Sequence, residues 1–276
     1  MYLLLVNPKA GNKLYRRIER RFVGSLNRHK IKHKLVLIDD LANTAELLKE
    51  NIKDSTKAVV AVGGNGTVAS VIDALVDYDL PLAIIPTSRT NHLARLLGIT
   101  NWQAGIRALA NHRIHIKRLG KIGQRYFMGE LIVAPKRNPL KNIFGKKSRF
   151  KHFFGANRPM APRRQHSVAC QLKLDGELEI SGQLTRLDIR LVDEGKKKMQ
   201  IQLHTLTESS TETSVLWANK LDISSSLNMP IISGNETLAN TPAIIQAITK
   251  TIEVIQPIPR LRAKRGLPVN TGHGQG

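Results

Sequence analysis

The sequence predicts an α/β fold: a parallel-sheet lobe over residues 1–110, followed by an antiparallel β-sandwich lobe over residues 111–256. Three observations lead there. Apolar runs of four or five residues alternate with helix-spaced segments through the front of the chain. One run, Ala58–Val62, is small or β-branched throughout, as in a strand buried on both faces. Beyond about residue 111 the helical rhythm gives way to short strand-like runs parted by turns such as Asp175-Gly176.

Taken in order, Tyr2–Val6 is a first strand, stopped by Asn7-Pro8. Residues 13–27 form a basic helix with Leu14, Ile18, Phe22 and Leu26 on one face. Lys34–Ile38 is a second strand and Thr44–Ile52 a helix. Ala58–Val62 runs into Gly63-Gly64-Asn65-Gly66-Thr67, after which Val68, Val71, Ile72, Leu75 and Val76 fall at helical spacing. Leu82–Ile85 is a fourth strand, and His92–Leu97 a short helix ended by Gly98. The seam between lobes falls at 108–112. Strands then follow at Ile114–Leu119, Tyr126–Val133, Val168–Leu174, Leu187–Val192, Met199–Leu206 and Thr251–Ile255, with Ser210 and Thr211 in a polar turn. Residues 257–276 are a basic, glycine-rich tail.

Of the 276 residues 41% are hydrophobic, enough for a packed core, which excludes general disorder. Lys and Arg number 43 against 21 Asp and Glu, a net charge of +22, so the surface attracts polyanions. The single Cys170 excludes an internal disulfide framework and reads as a small buried hydrophobe. No apolar stretch approaches the ~18–20 residues that span a bilayer, and the opening YLLLV is too short for a signal-peptide core. These features predict a cytoplasmic protein, soluble or peripheral to the membrane.

The loop Gly63–Thr67 lies between a buried strand and a helix. Glycines there let the backbone approach a ligand, and the helix-start amides favour an anion. A tight strand–helix turn with no ligand explains the glycines equally well. Two further loops break the tie. Asn7-Pro8-Lys9-Ala10-Gly11 follows the first strand, and Pro86-Thr87-Ser88-Arg89-Thr90-Asn91 the fourth. All three lie at the carboxyl ends of parallel strands, where open α/β sheets bind ligands.

NPKAG, GGNGTVASVIDAL and PTSRTNHLARLLGI, in that order, resemble the signature segments of the diacylglycerol kinase catalytic domain family. That family shares its nucleotide fold with NAD kinases and phosphofructokinases. Ser233-Gly234-Asn235-Glu236-Thr237-Leu238, with Thr241-Pro242 after it, is similar to the family's late D-G-E stretch. The resemblance implies ATP held between a nucleotide lobe and a β-sandwich lobe, a lipid hydroxyl as phosphoryl acceptor, and Glu236 as general base. It implies Asn7, Gly11, Gly63, Gly64, Asn65, Gly66, Thr67, Arg89 and Asn91 as nucleotide-binding positions.

The departures from the family pattern fall on acids. The aspartate of G-G-D-G-T is Asn65, that of N-D is His92, and an acidic position at the start of the second lobe is Arg118. The family's late aspartate is Gly234, its glycine and threonine after strand four are Ser88 and Arg89, and a threonine near the nucleotide is Ile38. Phosphoryl transfer needs its charge neutralised, commonly by Mg²⁺ on carboxylates. Asn65 brings no charge, His92 suits softer metals, and Arg118 repels a cation. No metal-ligand set is assigned, and ATP use is expected to be weakened or lost. The expected function is a divergent lipid kinase-family protein of low or absent activity. A non-catalytic membrane-binding or nucleotide-sensing protein is the first alternative. In another form, Arg89 and Arg118 supply fixed positive charge in the metal's place.

Residues 135–164 hold ten Lys or Arg, no acid, and four of the six phenylalanines. Basic and aromatic side chains together suit an anionic membrane surface, and equally a solvated loop. A nucleic-acid-associated role is the second alternative. His29/His33 and His112/His115 have helical spacing but no third ligand, so hydrogen-bonded histidines are expected. Asp73 and Asp77, on adjacent turns of one helix, are expected to face water.

Overall fold

The computed structural model describes residues 1–88, 91–135, 167–192, 198–206 and 211–258. In the front lobe β1 (Tyr2–Val6), α1 (Ala10–Arg28), β2 (His33–Leu37), α2 (Thr44–Asn51), β3 (Ala58–Gly63), α3 (Asn65–Leu75) and β4 (Leu82–Pro86) alternate as the apolar periodicity predicts. The strands lie in the order β2-β1-β3-β4, all parallel. Parallel neighbours need crossovers, and right-handed packing of those helices covers both faces. The core shows this directly. Leu3, Leu5, Val59, Ala61, Leu82 and Ile84 point to the α2–α3 side. Leu4, Val6, Val60, Val62, Ala83 and Ile85 point to the α1 side. Neither face can carry a polar residue, which is why these strands read as continuous apolar runs.

On the α1 side Tyr15, Ile18, Phe22 and Leu26 are buried, with Tyr15 rather than Leu14 as the innermost residue of the first turn. Gly11, Asn12 and Lys13 are left-handed (φ 58, 56 and 60), so regular helix begins after them. Phe22 meets the rings of Tyr15 and Trp102 with centroids 5.4 and 5.9 Å apart. After α4 (His92–Leu96), Trp102 opens α5 (Trp102–Ala110), a helix the sequence reading overlooks. Its signals are present: Asn101 Oδ1 accepts from Ala104 N, and Trp102, Ile106 and Leu109 recur at helical spacing.

The antiparallel strands are β5 (His112–Ile122), β6 (Arg125–Phe127), β7 (Glu130–Val133), β8 (Val168–Leu174), β9 (Leu178–Leu191), β10 (Met199–Leu206), β11 (Thr211–Ala218), β12 (Lys220–Ser225), β13 (Pro230–Ser233), β14 (Glu236–Asn240) and β15 (Ala243–Pro257). Two corrections follow. Thr211 begins strand β11, so it is not a turn residue. His112 and His115 share a strand, where a spacing of three sends rings to opposite faces. Their own core is built from Leu131, Leu172, Leu187, Ile189, Ile201 and Ile231, among others. Cys170 is buried there, and burial pushes its thiol up to about 11, leaving little thiolate at neutral pH.

The last strand joins the lobes. β15 runs antiparallel to β5 and β12, and parallel to β4 at Val254↔Leu82. Val254 and Ile255 thereby enter the two cores of the front lobe. A second tie corrects the reading of Asp73. Its carboxylate accepts from Arg125 Nε (2.6 Å) and Tyr126 N (2.7 Å), pinning the β5–β6 hairpin to α3. Burial outweighs those bonds and raises its pKa. Asp77 is 74% exposed, as expected, and pairs with Lys250. Among the described residues no helix is long and apolar enough to cross a membrane.

Candidate active site

The loops after β1, β3 and β4 converge because their strands end side by side. β3 stops at Gly63, whose carbonyl accepts from Thr87 N (3.0 Å) and Asn91 Nδ2 (3.2 Å). Asn7 N donates to Val62 O (3.0 Å), and Asn7 Nδ2 to Thr67 Oγ1 (3.1 Å). Hydrogen bonds thus knit Asn7, Gly63, Thr67 and Asn91 into one frame. Asn91 also caps α4, its Oδ1 accepting from Ala94 N at 2.9 Å.

Close approach demands the glycines. A Cβ on Gly11 would run into the Thr87 carbonyl oxygen, and one on Gly63 into the Thr67 side chain. At the head of α3, Gly64 is extended and supplies no side-chain cap. The first amides of the eleven-residue α3 are therefore not answered by a capping side chain. Beside them Thr87 Oγ1 is buried, 1% exposed, with no hydrogen-bond partner among the described residues. A positive helix end and an orphaned hydroxyl suit phosphate oxygens. The phosphates of a nucleotide fit this cradle.

A carboxylate arrives from the other lobe. β13 and β14 form a tight turn, with Ser233 paired to Glu236, whose Oε2 lies 2.9 Å from the place a Gly66 Cβ would occupy. A Cβ at 66 would press on that carboxylate at the start of α3, and the Glu236 side chain would have to shift. Gly234 (φ +61) sits just as closely: its Cβ would lie 2.8 Å from both Asn65 Nδ2 and His92 Cβ. Asn65, Gly66, His92, Gly234 and Glu236 therefore form one cluster, built from three separate stretches of chain.

Of the five residues in that cluster, Glu236 alone carries a carboxylate. Asn65 Oδ1, the oxygen standing where the family has a carboxylate, accepts from His92 N at 2.9 Å. Among the described residues no group of three or more His, Cys, Asp or Glu side chains converges as a metal cage. Arg118 Nε donates to Val192 O (3.1 Å) and Nη1 to Ile248 O (3.5 Å). Ile38 is buried in the α2–α3 core. Arg89, nearly all of the basic 135–164 stretch and the tail beyond Ile258 lie outside the described residues.

One acid near the site escaped the sequence reading. Glu130, at the start of β7, places Oε1 3.0 Å from His92 Nε2 and Oε2 3.3 Å from Arg190 Nη2. The His92 imidazole beside it, helped by Arg190, holds its carboxyl down at about 2, against the opposing effect of burial. It falls within the strand-like run Tyr126–Val133, where nothing local signals a partner 38 positions away. A depressed acid stabilises the fold above its unfolded value of about 4.5 and loses that contribution as pH falls towards about 2. Glu130→Gln should therefore narrow the difference in melting temperature between pH 5 and pH 2, read by calorimetry in both proteins. Equal acid sensitivity in the two would exclude the His92–Glu130 contact as a source of stability.

Residues 1–122 match the diacylglycerol kinase catalytic domain family. No curated protein matches the sequence. The fold is similar to that of a diacylglycerol kinase from Bacillus anthracis str. Sterne, with a TM-score of 0.67 at 16% identity, covering 92% of this chain and 96% of that one. It is also similar to an NAD kinase from Archaeoglobus fulgidus solved in complex with ATP, with a TM-score of 0.52 at 12% identity, covering 93% and 94%. The three loop motifs, the parallel sheet that gathers them and this match together make residues 1–122 a member of the diacylglycerol kinase catalytic-domain family.

Proposed function

We propose that this chain binds the phosphates of ATP on the 63–67 loop and acts as a divergent lipid kinase, phosphorylating a lipid hydroxyl at a low rate. The observation that carries the reading is the Glu236 carboxylate packed against Gly66, at the end of α3 where phosphates fit. The bound nucleotide supplies the transferable phosphoryl group. The amides at the head of α3 and the Thr87 hydroxyl would hold and orient its phosphates. Glu236 would accept the proton from the acceptor hydroxyl.

The low rate follows from Asn65 and His92. Their mutual hydrogen bond occupies the place where an acid-bearing relative carries charge. Titration calorimetry with ATP, with and without Mg²⁺, tests this. ATP should bind, with Mg²⁺ changing its affinity little. Asn65→Asp should introduce Mg²⁺ dependence and raise lipid phosphorylation about 10–100-fold, the usual weight of one metal-supporting group. An absence of ATP binding in both conditions would sink the nucleotide reading. Strong Mg²⁺ dependence in the unaltered protein would sink the argument from Asn65. Binding without any labelled lipid product favours the nucleotide-sensing alternative.

The partner surface in this reading is anionic lipid, on the strength of the +22 net charge and the basic, phenylalanine-bearing 135–164 stretch. Sedimentation with anionic vesicles, set against a gel shift with single-stranded nucleic acid, separates it from the nucleic-acid alternative.

A further inference from the structure

The solvent face shared by β7, β9, β10 and β11 carries a row of side chains fixed by strand register. Glu130 lies opposite Arg190, Arg190 opposite Gln200, and Gln200 opposite Trp217. A second row beside it is Ile132, Asp188, Gln202 and Val215. At the usual strand spacing each row spans about 14 Å. The alternate residues Leu187, Ile189, Ile201 and Leu203 point the other way, into the core of the lobe, so both rows stand on a packed sheet. Trp217 and Val215 remain 48% and 47% exposed. A pocket of ≈230 Å³ opens between Glu130, Arg186, Asp188, Arg190, Gln200 and Gln202.

The charges of this face are paired with one another. Glu130 places Oε1 on His92 and Oε2 on Arg190. Asp188 places Oδ1 2.7 Å from Arg186 Nη2 and Oδ2 2.9 Å from His204 Nε2. Two guanidiniums and two carboxylates balance, on a chain whose net charge is +22. A polyanion gains little from such a surface. What remains is neutral hydrogen-bonding capacity. Gln200 and Gln202 are half-buried, and neither side-chain amide has a hydrogen-bond partner among the described residues. Each amide offers two N–H donors and an acceptor, and a guanidinium keeps N–H groups beyond those its carboxylate takes. Beside them Trp217 supplies a broad apolar ring.

Amides, guanidinium edges and an aromatic face without net charge match a ring with hydroxyls on its rim and C–H groups on its flat side. We propose that this face binds a neutral pyranose sugar, its apolar side against Trp217 and its hydroxyls on Gln200, Gln202 and Arg190. The pocket is smaller than the ~300 Å³ of a full small-molecule site, a size for one ring. Through Glu130 and its His92 contact the row reaches the cluster that holds Glu236. The binding itself does not rest on the kinase reading.

The test is calorimetry on the full chain with methyl β-D-glucopyranoside, methyl β-D-galactopyranoside and octyl β-D-glucopyranoside, the last below its aggregation limit. At least one methyl glycoside should bind saturably, with an affinity that salt leaves unchanged. Octyl glucoside tighter by at least about tenfold makes the sugar a lipid-linked one, and equal affinity makes it a free one. Trp217→Ala should weaken binding at least about tenfold, and Gln200→Ala about two- to tenfold, with melting temperatures unchanged because both side chains stand on the solvent face. Fluorescence gives an independent readout. The chain has two tryptophans, and Trp102 packs on Phe22, so Trp102→Phe leaves Trp217 as sole reporter. The sugar should shield it from acrylamide. Binding of none of the three sugars, or of octyl glucoside alone, would overturn the site. So would unchanged affinity in both Trp217→Ala and Gln200→Ala. Single-stranded nucleic acid that shields Trp217 better than sugar would give the face to stacked bases. Shielding that grows with protein concentration would give it to a second copy of the chain.

Discussion

Glu236→Gln is expected to lower the lipid phosphorylation rate about 10²–10⁴-fold while ATP binding stays within a few-fold of the original. The substitution keeps the shape of the side chain that fits against Gly66, so the cluster of Asn65, His92 and Gly234 keeps its packing. What it removes is the oxygen able to take a proton from the acceptor. If Glu236 only fills space between the lobes, Gln fills it equally well and the rate stays put. A loss confined to the rate, with the heat of ATP binding preserved, assigns the carboxylate to proton transfer. A matching fall in ATP affinity instead makes it part of the nucleotide cradle. The assay is labelled phosphate transfer into extracted lipid, run beside calorimetry on the same preparation.

Gly63→Val is the second large effect, on stability as well as binding. Gly63 is buried at the end of β3, and its missing side chain is the space that Thr67 occupies. Any Cβ there pushes Thr67 away and strains the Thr67–Asn7 bond, which ties the first loop to the second. Overpacking of this kind costs about 1–3 kcal/mol, or a few degrees to roughly 10 °C in melting temperature. The stabilisation by ATP should disappear as well, since the loop that holds the phosphates has moved. Gly24→Ala makes the opposite case. Gly24 is exposed in α1 with open space around the missing Cβ, so alanine should stabilise by about 0.5–1 kcal/mol. A Gly63 variant that melts with the parent protein and still responds to ATP would show that the loop tolerates displacement and is no cradle.

The front lobe was legible because its strands are buried on both faces. That burial forces uninterrupted apolar runs such as Leu3–Val6 and Val59–Val62, and periodicity then needs no tertiary knowledge to be read. The three loops were legible for a related reason: parallel strands present their carboxyl ends together, so motifs after β1, β3 and β4 had to meet. α5 was missed between two better-marked elements. In the antiparallel lobe β11–β14 escaped, because alternating strands with one solvated face mix polar residues into each run, as in Lys220–Ser225.

Composition, the alternation of strands with helices in the front lobe and loop chemistry thus came from neighbours in the chain, where spacing alone carries the physics. The rest came from neighbours in space. Glu236 reaches Gly66 because β13 and β14 hang from β7 at the far edge of the sheet. Asp73 leaves water for Arg125, and Glu130 finds both His92 and Arg190, through pairings spanning tens of residues. A carboxylate's charge, partners and proton affinity depend on what surrounds it within a few ångströms. In this chain those surroundings are assembled by β7, β9, β14 and β15, after the folding of stretches that carry no local mark of where they meet.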